Sequence, residues 1–220
     1  MNKAQIKKKL ATAFQTHLNV SSQAAAGLVP AAVTDGKLYE AYVLSQVVEK
    51  LATEEKFSLV LVGGSKIALK SAPGPINRSY PRIELQRNGI RLAELWTDVE
   101  FLSLSYSQTG MSLTKGDYHE LDIMIVDANA ANRPPHTAIW LGIECKNTSY
   151  QKGLLKEILG IRRELSLLTD SQKTKFALWP RSQVPATPPS CLLVYSTDPT
   201  VKDYSSPGNV FGIDFFYEPL

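Results

Sequence analysis

Two short runs carry the residues able to do chemistry: His119-Glu120-Leu121-Asp122-Ile123-Met124-Ile125-Val126 and Ile139-Trp140-Leu141-Gly142-Ile143-Glu144-Cys145-Lys146. Both are apolar and β-branched, and Asn129, Asn132, Pro134 and Pro135 between them supply turn chemistry, so an antiparallel pair of strands is predicted. Side chains alternate along a strand, which puts Glu144 and Lys146 on one face, Ile143 and Cys145 on the other, and Asp122 on a face with Glu120 and Met124. Where those faces coincide, two carboxylates and an ammonium meet inside a sheet. Charge there is costly unless it is paired or binds metal. Hard oxygen ligands suit Mg²⁺ or Mn²⁺, and a metal held beside a lysine can polarise a phosphodiester and lower the pKa of an attacking water. Lys146 would orient that water or stabilise the charge that grows in the transition state.

These residues need elements to hold them. Behind Lys146, Asn147 to Ser149 can cap a helix over about 150–168, with Leu154, Ile158, Ile161, Leu165 and Leu168 as its buried stripe. Its other face shows Lys152, Lys156 and Arg163, either a solvated face or a contact to phosphates. Ahead of the strands, Thr34 or Asp35 can cap a helix to about Glu54. Glu40 lies one turn before Leu44 on the same stripe as Val47, Val48 and Leu51, which aims a carboxylate at the core; the plainer reading is a negative charge favoured near a helix start. The breaker-rich loop 71–81 is expected to overhang the site, and its Arg78 joins Lys152, Lys156 and Arg163 as a nucleic-acid contact. Strands are expected at 57–62 and 67–70 around Gly63-Gly64. Residues 82–86 and 90–105, around an Asn88-Gly89 turn, read as strands or as a strand and a short helix. Further strands are expected at 176–179, 192–195 and 209–217, with 180–189 a Pro-rich surface loop. Residues 1 to about 28 read as helical, their lysines a solvated face rather than a DNA-contacting arm. Gly63-Gly64-Ser65-Lys66 lacks the first Gly and the final order of a phosphate loop, so nucleotide binding is rejected. His119 reads as a strand residue rather than a base.

Asp122, a gap of 21 residues, then Glu144-Cys145-Lys146 resembles the restriction-endonuclease-like PD-(D/E)XK nuclease superfamily, whose signature is Asp, a variable gap, then Asp/Glu-x-Lys. Leu121 stands where that family has Pro. Glu120-Leu121-Asp122 with Ile143-Glu144-Cys145-Lys146 also looks like the nuclease domains of CRISPR ancillary proteins. The resemblance covers about residues 34–195 and implies an α/β (α+β) fold, a central mixed β-sheet flanked by helices. It implies Mg²⁺ (or Mn²⁺) held by Asp122 and Glu144, with Glu40 supporting the metal or its water, the Ile143 and Cys145 backbone carbonyls adding oxygens, and Lys146 aiding the nucleophile. The expected activity is a DNA endonuclease in restriction, defence or repair, acting as a homodimer, with RNA open as a substrate. The alternative is a nuclease-fold subunit that binds nucleic acid or assembles without cleaving.

The composition agrees with an ordinary globular chain: 220 residues, 44% hydrophobic and 20% charged, enough for one domain over 31–220 with a helical appendage at 1–30. No run approaches the roughly 20 apolar residues of a membrane span, and the Lys-rich start lacks the apolar stretch of a signal peptide. Cys145 and Cys191 show no paired spacing, so neither a disulfide framework nor a zinc finger is indicated, and a cytoplasmic location is expected. A net charge of +3 permits a nucleic-acid partner without arguing for one.

Overall fold

The computed structural model describes residues 3–18, 20–29, 33–67, 69–70, 72–109 and 112–220. In chain order the elements are α1 (Lys3–His17), α2 (Ser22–Gly27), α3 (Asp35–Thr53), β1 (Ser58–Val62), β2 (Arg82–Arg87), β3 (Ile90–Leu102), α4 (Leu104–Thr109), β4 (Tyr118–Asp127), β5 (Ile139–Lys146), α5 (Lys152–Leu165), β6 (Leu167–Lys173), β7 (Gln183–Thr187), β8 (Cys191–Ser196), α6 (Ser205–Val210) and β9 (Ile213–Tyr217). The break expected at Pro30, and with it the boundary between 30 and 31, lies outside the described residues.

Seven strands form one mixed sheet in the order β1-β2-β3-β4-β5-β8-β9. Neighbours from β1 to β5 are antiparallel, whereas β8 runs parallel to β5 and β9 parallel to β8. Helices cover both faces, each over its own apolar cluster. On one face α3 brings Leu44, Val47 and Leu51 onto Ile83, Leu95, Ile125 and Leu141. On the other, α5 brings Ile158, Ile161 and Leu165 onto Met124, Val126, Leu192 and Val194. Helix α3 is buried nearly all round because α1 packs on its outer side, with Ile6, Leu10 and Phe14 in the same cluster. The segment expected as an appendage therefore shares the core of the sheet.

Local chemistry explains the best-defined turns. Thr34 caps α3, its hydroxyl accepting the Lys37 N–H at 3.2 Å. Asn88 and Gly89 both take positive φ, 53° and 76°, the two-residue turn that suits the twist of a hairpin. Residues 90–105 resolve into the long β3 followed by α4.

Several expected elements differ. Residues 176–179 are a loop rather than a strand, because the buried Glu55 carboxylate takes the N–H groups of Ala177, Leu178 and Trp179 that a strand would have paired. Part of the expected loop 180–189 is β7, paired with β6 in a separate ribbon with Val184 and Ala186 turned inward. The helix after Lys146 stops at Leu165, and Leu168 joins β6. Residues 209–210 belong to α6, and β9 begins only after Gly212. Around 67–70, Ile67 bonds to the Leu28 carbonyl and no strand forms at the described residues, Ala68 lying outside them. Among the described residues no helix is long and apolar enough to cross a membrane.

Candidate active site

Strands β4 and β5 pair from Val126 with Ile139 to Ile123 with Ile143, and the ladder stops there. Asp122 and Glu144 are the next residue on each strand, so they stand where the two strands part. Asp122 Oδ2 accepts the Cys145 N–H at 2.6 Å, a side chain taking over a backbone bond. The N–H and C=O of one strand residue leave on the same side, so the Cys145 carbonyl faces this opening too. Its side chain packs instead against the apolar cluster beneath α3, and burial raises the thiol pKa well above its usual value.

Strand β3 opens the same region from its other flank. The ladder pairs Thr97 with Ile123 and Val99 with Leu121 but skips Asp98 and Asp122, and Asp98 sits in the left-handed region at φ 53°. Aspartate tolerates that conformation better than most residues. The irregularity inverts the side-chain alternation: Leu95 and Ile123 lie under α3, whereas Val99 and Leu121 lie under α5. Consequently Asp122 does not share a plain face with Glu120 and Met124. Glu120 is exposed, Met124 is in the core under α5, and Asp122 sits at the inversion.

Helix α3 completes the cluster. Glu40 is buried, and one carboxylate oxygen from each of Glu40, Asp98 and Asp122 lies within 4.8 Å of the others. Lys37, one turn earlier, donates to Glu40 Oε2 at 2.7 Å and to Asp98 Oδ1 at 2.5 Å. The other Asp98 oxygen accepts the Lys70 N–H at 3.0 Å. On β5, the Lys146 ammonium lies 2.9 Å from Glu144 Oε2 and 3.0 Å from Glu157 Oε1 of α5.

The electrostatics follow from burial. Glu40 is pushed up to about 7 by desolvation and by the charge of Asp122, against the pull of Lys37. Desolvation also raises Asp122, opposed by the Cys145 N–H and by Lys146. Glu144 rises to about 8, driven by burial and then by Asp122, with Lys146 compensating only in part. Burial alone would lower Lys146 and Lys37, but their carboxylate partners outweigh it and raise both. Three carboxylates held above their ordinary range lack sufficient positive charge in their ionised form.

The structure thus brings together Glu40, Asp122, Glu144 and Lys146. It adds three residues that sequence reasoning missed. Asp98, set between Trp96 and Phe101 in β3, was a visible signal, and the i, i+3 spacing of Lys37 and Glu40 was another; the pairing of Glu157 with Lys146 is purely tertiary. Lys152, Lys156 and Arg163 are exposed on α5. Arg78 is already engaged: it donates to the fully buried Glu94 at 2.7 Å and to the carbonyls of Ala130 and Ala128 at 2.9 and 3.3 Å. Glu94 also accepts from Arg82 and Arg91, so Arg78 helps neutralise a buried charge. His119 pairs with Phe101 in the β3–β4 ladder, with ring centroids 5.9 Å apart. No protein-family model, curated protein or solved structure matches the chain.

Proposed function

We propose that this chain is a Mg²⁺- or Mn²⁺-dependent DNA endonuclease of the restriction-endonuclease-like kind that its Asp122…Glu144-x-Lys146 spacing resembles. The observation that carries the reading is the convergence of carboxylates from three elements, Glu40 of α3, Asp98 of β3 and Asp122 of β4, at an interruption of the sheet beside Glu144. The donor set fits such a cation: the groups are hard oxygens, largely withdrawn from water and short of positive charge. Asp122, Glu144 and Glu40 would hold the cation, with the Cys145 carbonyl as a further oxygen.

When bound, the cation supplies Lewis-acid polarisation of a phosphoryl oxygen and a lowered pKa for the attacking water. Lys146, charged despite its burial, positions the nucleophile and offsets the negative charge that develops on the phosphate. Lys152, Lys156 and Arg163 hold the phosphate backbone without reading bases. Cutting both strands of a duplex is served by two copies related by a twofold axis, so the reading includes a homodimer.

Plasmid, linear duplex, single-stranded DNA and RNA, each incubated with Mg²⁺, Mn²⁺ or EDTA, test the activity. Duplex DNA is expected to be cut with either metal, and neither in EDTA nor by Asp122→Asn or Glu144→Gln. Full cleavage by Glu144→Gln would refute the site. One observation favours a second reading, a nuclease-fold subunit that binds without cutting: Glu157 competes with Glu144 for Lys146. Tight DNA binding with no cleavage of any substrate supports that reading.

A further inference from the structure

We propose that Lys37 is the resident occupant of a second cation position in this site, so that the centre takes one divalent cation rather than two. The inference rests on the metal-dependent reading above and deepens it.

Sites that work with two metals hold them about 3.5–4 Å apart within one carboxylate cluster. The cluster here has the acidity for that, with Glu40, Asp98 and Asp122 offering oxygens within 4.8 Å of one another and Glu144 adjoining. Part of it is already filled. The Lys37 ammonium bridges Glu40 Oε2 at 2.7 Å and Asp98 Oδ1 at 2.5 Å, standing between carboxylates from two separate elements as a bridging cation would.

Both partners and the lysine itself are held in place. Lys37 lies in the first turn of α3, its N–H bonded to the capping Thr34, and its side chain is only 23% exposed. Asp98 is fixed by the Lys70 N–H and by the backbone inversion of β3. Glu40 sits one turn along α3 at the i, i+3 spacing that lets the two side chains meet. The ammonium is therefore placed by a helix start and a strand irregularity, neither of which needs a metal to form.

The oxygens already taken by ammonium groups decide the stoichiometry. Five carboxylates face two ammonium groups: Lys37 bridges Glu40 and Asp98, and Lys146 bridges Glu144 and Glu157. Among the described residues Asp122 has no ion-pair partner. The oxygens that Lys37 leaves over, on Asp122, Glu144 and the second oxygen of Glu40, suit one divalent cation. A second would have to displace Lys37 from a bidentate, mostly buried ion pair, at the cost of leaving that ammonium without its partners.

The test counts Mn²⁺ bound to the intact chain by electron paramagnetic resonance of the free ion during titration, a readout independent of cleavage. Wild type is expected to bind one Mn²⁺ per chain at saturation, Lys37→Arg one, and Lys37→Met two. Removing one of that position's two carboxylates as well, in Lys37→Met/Asp98→Asn, should return the count to one. Lys37→Gln, which keeps a polar group in the pocket, serves if the methionine variant fails to fold and should also bind two. Two Mn²⁺ on wild type, or one on both Lys37→Met and Lys37→Gln, overturns the proposal while leaving metal dependence standing. No Mn²⁺ on wild type overturns the metal reading and this inference with it.

Discussion

In a chelating buffer at pH 8, Glu40→Gln should make the protein more stable, and the size of the gain follows from the position of the carboxylate. In the folded chain Glu40 is raised from 4.5 to about 7, chiefly because α3 buries it and Asp122 faces it. Between those values the native state binds a proton that the unfolded state has released, so stability falls as pH rises through this window and stays low above it. At about 1.4 kcal/mol per pK unit, forcing the folded carboxylate to ionise costs up to roughly 3 kcal/mol. Glutamine has the same volume and no charge to ionise. Its loss of the Lys37 ion pair offsets part of the gain, since Lys37 keeps Asp98. A net 1–2 kcal/mol corresponds to a rise in Tm of about 2–8 °C for a chain of this size. The measurement is thermal unfolding by circular dichroism in EDTA from pH 4 to pH 8: the two proteins should melt closest together at the acid end and diverge as pH rises from about 4.5 to about 7, wild type falling faster, with a constant gap above that. Saturating Mn²⁺ should close the gap, because a ligand that binds only the native state stabilises by RT ln(1 + [L]/Kd), and a tenfold weaker site gives up about 1.4 kcal/mol. A variant that melts below wild type at pH 8 in EDTA, or that gains as much from Mn²⁺, would refute the argument that Glu40 is a buried charge awaiting a cation.

Other consequences are more local. Replacing Lys152, Lys156 and Arg163 together by Ala should weaken binding to all DNA sequences alike and reduce the slope of log K against log salt by about 3, measured by fluorescence anisotropy; an unchanged slope would make that face merely solvated. Glu55→Gln replaces an acceptor of the Ala177, Leu178 and Trp179 N–H groups with one amide oxygen, and should cost about 1–3 kcal/mol in urea unfolding and speed hydrogen exchange at those amides. Gly142→Ala would set a Cβ 2.7 Å from Leu121 Cδ1, so about 1–3 kcal/mol of stability should be lost. Because Leu121 precedes Asp122, Mn²⁺ affinity should fall in the same variant; unchanged affinity would show that the splay of β4 from β5 does not depend on this contact.

Much of this arrangement was legible because short-range rules decide it. Alternation put Glu144 and Lys146 in phase on one strand, the Asn88-Gly89 pair set a hairpin, the i, i+4, i+7 stripe of Leu154, Ile158 and Ile161 fixed the buried side of α5, and Thr34 marked the start of α3. Glu40 was readable as inward-facing from its place above Leu44. What could not be read depends on partners far away in the chain. Residues 176–179 have the composition of a strand, yet a carboxylate more than a hundred residues earlier claims their amides. Leu168 continues the helical stripe of α5, yet pairing with Ala186 draws it into a ribbon. Arg78 has the look of a free surface cation and is committed to Glu94, a charge that only the folded sheet buries.

Asp122 shows how the same residues can be brought together by a geometry other than the expected one. Strict alternation would have set its carboxylate beside those of Glu120 and Glu144 on one flat face, where three like charges a few ångströms apart repel. The chain instead breaks the rule three times within one small region: Asp98 turns left-handed, the β4–β5 ladder ends at Ile123, and the Cys145 N–H leaves the ladder for a side chain. Each break alone forfeits backbone pairing. Together they open a gap in the middle strands into which α3 lowers Glu40 and Lys37 from one side while Lys146 reaches Glu157 of α5 on the other. The carboxylates meet because the sheet is interrupted there. Restoring regular pairing at Asp98 would therefore remove the site without removing any of its carboxylates.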